Sequence, residues 1–219
     1  MSIFDRLSNN KGTISSALGK SLAQNVLNGQ TSILLECIDL VSYKVAEPTQ
    51  KHIRSGASKV VEIVALNRPD LVAPFLEKLM PALSVKEPQT RWMIIRTMGF
   101  CAHLNKSVAQ RAIAYAEKYI DNKEGLCLAS STDLFLGDIG AISEKDAQGV
   151  FPLLERSMEN LVANEQDWVL EALFKVFQIL SQSEQERCIK FAERWQHSAR
   201  KNTQQRVKKI LRLRDKCCS

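Results

Sequence analysis

Motifs that carry chemistry are scarce in this chain of 219 residues. Only three histidines occur, His52, His103 and His197. None stands in His-Glu-x-x-His spacing or near a Cys-x-x-Cys pair, so a zinc site has no ligand set. Gly-x-x-x-x-Gly-Lys-Ser/Thr, Gly-x-Gly-x-x-Gly and Gly-x-Ser-x-Gly are all missing, and the nine glycines are scattered. Phosphate-loop chemistry therefore has no foothold. Gly137 and Gly140 fall inside a helical pattern, where they are expected to permit close helix packing. No apolar run reaches eighteen residues, which argues against a spanning helix. Met1 to Arg6 lacks the basic stretch and apolar run of a secretory signal, so the expected compartment is the cytoplasm. No catalytic residue, metal or cofactor is expected.

Six cysteines are present, but Cys37, Cys101, Cys127 and Cys188 sit in apolar helical patterns, where a free thiol behaves as a small hydrophobe. Cys217 and Cys218 are adjacent and close to the end. With 45% hydrophobic and 25% charged residues the chain has the composition of a well-buried globular protein. Its net charge of +6 is localised: residues 1 to 200 carry 23 basic and 23 acidic side chains, and the last nineteen carry seven basic and one acidic. The body is neutral and the tail is basic.

What the chain does have is a repeat. Phe75-Leu76-Glu77-Lys78-Leu79, Tyr115-Ala116-Glu117-Lys118-Tyr119, Leu153-Leu154-Glu155-Arg156-Ser157 and Phe191-Ala192-Glu193-Arg194-Trp195 recur with their glutamates 40, 38 and 38 residues apart. Upstream, Leu66-Asn67, Leu104-Asn105, Ile142-Ser143 and Leu180-Ser181 step by 38. Tandem units of this length are stacked helix pairs. Apolar residues three apart (Val60, Ile63, Leu66; Met98, Cys101, Leu104; Leu136, Ile139, Ile142; Phe174, Phe177, Leu180) predict the buried stripe of each first helix. Asn67 with Asp70, Ser143 with Asp146 and Ser181 with Glu184 predict N-caps for the second helices, a pattern that Asn105 with Val108 breaks. The second helices then bury Leu71, Phe75, Leu76, Leu79; Ala112, Ile113, Ala116, Tyr119; Val150, Phe151, Leu154, Met158; and Cys188, Ile189, Ala192, Trp195. The units run 51–89, 90–125, 126–166 and 167–201. Residues 13–50 form a looser first pair, and Thr203 to Lys216 a closing helix with Val207, Ile210 and Leu211 inward. Trp92 and Trp168, two periods apart, are expected to fill space between repeats.

The period near 38, the polar corners and Pro69-Asp70 within one of them resemble the HEAT-repeat family and, less closely, its armadillo relatives, well over 51–201 and weakly over 13–50. The resemblance implies an all-α, right-handed α-α superhelix of about five helix pairs plus a C-terminal capping helix, one solenoid domain whose second helices line a concave surface for peptides or proteins. Glu77, Lys78, Glu117, Lys118, Glu155, Arg156, Glu193 and Arg194 would then border a partner-binding groove, on a non-catalytic interaction scaffold. Two other readings stand beside it. DNA alkylation-repair glycosylases with HEAT-like repeats use tryptophan, aspartate and arginine on a basic face, and Asp167-Trp168 offers two of those residue types. However, each ridge cation has a glutamate beside it, which disfavours nucleic acid. The tail offers a third reading, with Arg206, Lys208, Lys209, Arg212, Arg214 and Lys216 against nucleic acid or an anionic membrane and Cys217 and Cys218 as acylation candidates.

Overall fold

The computed structural model describes residues 2–9, 17–42 and 51–217, and among them every regular element is helical. Residues 13–16 and 43–50 of the expected first pair lie outside the described residues. Two compact units divide the chain, Met1–Tyr115 and Ala116–Ser219.

The first unit opens with α1 (Ile3–Asn9), α2 (Ala17–Leu27) and α3 (Thr31–Val41), all packed on α4 (Lys51–Asn67). Gly29 makes the turn between α2 and α3 with φ +103°, a conformation that favours a residue without Cβ. Glu36 of α3 accepts the Ile3 backbone N–H at 2.7 Å and the Phe4 N–H at 3.3 Å, closing the start of α1. After α4 come α5 (Pro69–Val72) and α6 (Leu76–Leu79), then α7 (Pro88–Phe100), α8 (Lys106–Arg111) and α9 (Ile113–Asn122), within which the second unit begins. The second unit continues with α10 (Leu126–Gly140), α11 (Glu144–Glu159), α12 (Gln166–Val176), α13 (Gln182–Arg194) and α14 (Lys201–Cys217).

The long helices from α4 to α13 fall where the repeat placed first and second helices; the buried face keeps Val60, Met98, Cys101, Leu136, Ile139, Phe177 and Leu180 of the predicted stripes but not the downstream end of most of them. On α4 it comprises Ile53, Ala57, Val60, Val61, Val64 and Ala65, whereas Leu66 is 61% exposed. Leu104 is also exposed and Ile142 is half-buried; only Leu180 in that column is buried. The cause is geometric. At 3.6 residues per turn, three-residue steps drift about 60° each around the helix, which carries Leu66 out of the core at the end of α4, whereas Leu104 and Ile142 lie in the corners beyond α7 and α10. Replacing Leu136, which is fully buried, by Ala should therefore cost about 2 to 5 kcal/mol, and Leu104→Ala within about 0.5 kcal/mol. Urea unfolding of the two variants checks the register.

The second helix of the 51–89 unit is not continuous. Pro74 and Pro81 each open a 3-10 segment, Ala73–Phe75 and Met80–Ser84, on either side of α6. A proline nitrogen donates no hydrogen bond and its ring crowds the preceding turn, so the helix is cut at both sites. Ser143 and Ser181 cap α11 and α13 as expected, Ser181 in a full capping box with Glu184. Asn67 does not cap: its Nδ2 donates back to the Ile63 carbonyl at 2.8 Å, and Asp70 instead pairs with Arg68. Asn105 donates to the Ala73 carbonyl at 2.9 Å, tying one pair to the previous one.

In the second unit α10 is buried on nearly every side, against α11 and α12. Gly137 makes this possible: a Cβ there would lie 2.8 Å from the Ala172 Cα. Gly140 is similarly enclosed by Val176 and Val150. Gly137→Ala should cost about 1 to 3 kcal/mol because backbone must move. By contrast, Gly149→Ala, in a helix with open space beside it, should stabilise by about 0.5 to 1 kcal/mol through helix propensity. Thermal melts of the pair should shift in opposite directions.

Candidate interaction surface

The four repeated glutamates sit on second helices, with Glu77, Glu117 and Glu193 exposed and Glu155 half-buried. Neighbours on a helix point about 100° apart, so the basic residue that follows each glutamate in sequence faces another direction. Each glutamate reaches instead to an arginine of the next helix pair or of the closing helix. In the first unit Arg111 of α8 grips Glu77 with both terminal nitrogens, at 2.7 and 2.9 Å. In the second unit Arg156 of α11 donates to Glu117 at 2.8 Å and also to Asp121. Arg187 of α13 lies 2.7 Å from Glu155, and Arg214 of α14 lies 3.4 Å from Glu193. The side-chain hydrogen bond that Arg111 donates to Glu77 raises the arginine's pKa, and those that Arg156 donates to Asp121 and then Glu117 raise that of Arg156. Exposed pairs of this kind are screened by water and salt, and each contributes little to stability.

The expected site residues thus share one kind of position and have different occupations. Lys78 is 3.8 Å from Asp39, and its carbonyl accepts the Ser42 hydroxyl at 2.7 Å. Arg194 lies 5.0 Å from the centre of the Phe191 ring. Lys118 is exposed. Arg111, Arg187, Asp121 and Asp39 were not among the candidates, because the arginines follow their glutamates at 34, 39, 32 and 21 residues and form no column. A double-mutant cycle on Glu77 and Arg111 should yield a small favourable coupling that shrinks in 1 M salt. The same cycle on Glu77 and Lys78 should yield none.

The basic tail is partly turned inward. Arg206 stacks over Trp168 at 5.2 Å and lies 3.2 Å from Glu171. Lys209 is 3.6 Å from Glu171 and 5.2 Å from the Phe174 ring, and Arg214 holds Glu193. Glu171, Asn202, Gln205, Arg206 and Lys209 line a polar depression of about 220 Å³. Lys208 and Arg212 are exposed. The side chains of Lys216 and Cys217, and Cys218 altogether, lie outside the described residues. Val207 and Ile210 are buried and Leu211 half-buried, so α14 covers the last helix pair.

Asp167 and Trp168 are likewise committed. Asp167 is 3% exposed and accepts bonds from the Thr203 hydroxyl and, at 3.1 Å, from Arg200. Neither tryptophan is the core filler the spacing predicts: Trp92 is half-buried beneath the Lys59 ammonium, 5.2 Å from the ring, as Trp168 is beneath Arg206. Large rings at a helix surface leave one face for a cation. Cys127 also departs from expectation by being exposed, at the start of α10, whereas Cys37, Cys101 and Cys188 are buried free thiols. Burial pushes each of these three up to about 12, so none is a thiolate nucleophile. Among the described residues no group of three or more histidine, cysteine or acidic side chains could hold a metal, and no helix is long and apolar enough to cross a membrane.

Solved structures with a similar helical path include a designed repeat protein. A designed armadillo repeat protein superposes with a TM-score of 0.59 at 12% identity, over 94% of this chain and 98% of its own. The fold is an armadillo-like helical solenoid. Two further engineered proteins agree, one at a TM-score of 0.62 and 12% identity over 97% of this chain and 98% of that one, the other at 0.61 and 11% over 97% and 96%. No protein-family profile matches the chain, and no curated protein matches it.

Proposed function

We propose that the chain is a non-catalytic interaction scaffold that takes a partner protein or peptide along its second helices, at Glu77, Lys78, Glu117, Lys118, Glu155, Arg156, Glu193 and Arg194. The observation that carries the reading is the recurring glutamate, whose carboxylate is held by an arginine of the next pair or, for Glu193, of the closing helix. Within each unit such exposed pairs offer donors and acceptors that a polypeptide can engage at small cost. Its mixed charge suits a polypeptide better than a phosphate backbone. The neighbouring repeat scaffolds fit the same reading, as do the buried free thiols of Cys37, Cys101 and Cys188 for a reducing compartment such as the cytoplasm.

Charge reversal separates this reading from nucleic-acid or membrane binding through the tail. Lys78→Glu, Lys118→Glu and Arg194→Glu combined should weaken the partner complex at least tenfold with the fold intact by circular dichroism. Lys208→Glu with Arg212→Glu should leave it unchanged. Retention in the first variant with loss in the second, together with a steep salt dependence of DNA or vesicle binding, would transfer the function to the tail.

A further inference from the structure

Away from the charged edge, the second unit holds a cluster of ionisable side chains inside its core. Asp133, on the enclosed helix α10, and Glu165, at the end of the 160–165 connector into α12, are both 0% exposed. Lys123, just after α9, donates from Nζ to Glu165 at 2.5 Å with its own side chain only 10% exposed. The other Glu165 oxygen accepts the Val162 backbone N–H at 2.6 Å, which closes the connector on itself. Lys123 adopts φ +45°, a left-handed conformation that costs a residue with Cβ about 1 kcal/mol or more. A lysine at such a position is accounted for by the carboxylate it reaches.

We propose that Asp133, Glu165 and Lys123 form a proton-operated joint, in which one proton held between the two carboxyls keeps the 160–165 connector seated and its loss to solvent releases that connector. Two buried carboxylates facing one ammonium would leave a net negative charge in a medium that solvates it poorly, so the cluster is balanced only when one carboxyl is neutral. The charged groups facing Asp133 are Glu165 and Lys123, and α11 contributes the Ser157 hydroxyl. Neither Asp133 oxygen has a well-formed hydrogen bond, which leaves the protonated acid free to donate toward Glu165. Burial first, and the Glu165 carboxylate second, hold the Asp133 carboxyl well above the ordinary carboxylate range. Glu165 already accepts from the Lys123 Nζ and the Val162 backbone N–H, which leaves Asp133 as the carboxyl without such donors.

The folded state therefore keeps a proton that the unfolded chain loses near pH 4. The stability tied to it is present below that value and declines as pH rises toward the point at which Asp133 titrates in the fold. The limit is about tenfold in the unfolding equilibrium per pH unit. The same change weakens the Val162–Glu165 contact, since connector and acid pair share one oxygen-bearing side chain.

Hydrogen exchange on the full chain between pH 5 and 9 reads this at the Val162 amide. After correction for base-catalysed exchange, protection in the natural chain should fall by up to about tenfold per pH unit. Asp133→Asn, a neutral side chain of the same shape, should hold it constant. A carbon-13 titration of the Asp133 carboxyl in the natural protein gives an answer even if the variant does not fold. Titration near pH 4, or equal pH dependence of protection in both proteins, would overturn the joint.

Discussion

A helix pair cannot bury its own apolar face, and everything else in this chain follows from that constraint. Each first helix needs neighbours on several sides. In the first unit α4 is covered by α1, α2, α3 and α7, and in the second α10 is covered by α11 and α12. Where the covering is densest the sequence makes room with glycine, as at Gly137 against Ala172, and the stack can then tolerate little change of volume. The ends obey the same rule: α14 places Val207 and Ile210 inward and its polar residues outward, which completes the last pair.

Charge in this protein occurs in two very different settings. Along the second helices it is exposed, paired between consecutive elements, and energetically slight, so side chains there can exchange partners at small cost. In the core of the second unit it is enclosed, and the Asp133 and Glu165 carboxyls exist under conditions in which proton, lysine and backbone N–H must all be in place. The first setting suits recognition and the second suits coupling between helix pairs.

The repeat and its helix pairs were legible because a 38-residue period survives in the Leu-Asn and Glu columns, and because Ser143 and Ser181 mark helix starts chemically. The exact buried face was not, since Leu66 satisfies a three-residue spacing while the helix turns every 3.6, and Leu104 continues that spacing past the end of α7. Pro74 and Pro81 break a helix that the apolar pattern reads as continuous. At the candidate surface the glutamates were legible and their arginines were not, because those come from a different pair at no fixed distance. Asp133 and Glu165 carry no sequence signal at all: thirty-two residues separate two ordinary acids, and only the fold brings them together.

The central claim, that the second-helix edge is where this solenoid meets another protein, is tested most directly by cross-linking mass spectrometry on the natural complex with an amine-reactive reagent. The account predicts that intermolecular cross-links concentrate at Lys78 and Lys118. Cross-links confined to Lys208 and the tail, with none along the second helices, would contradict it.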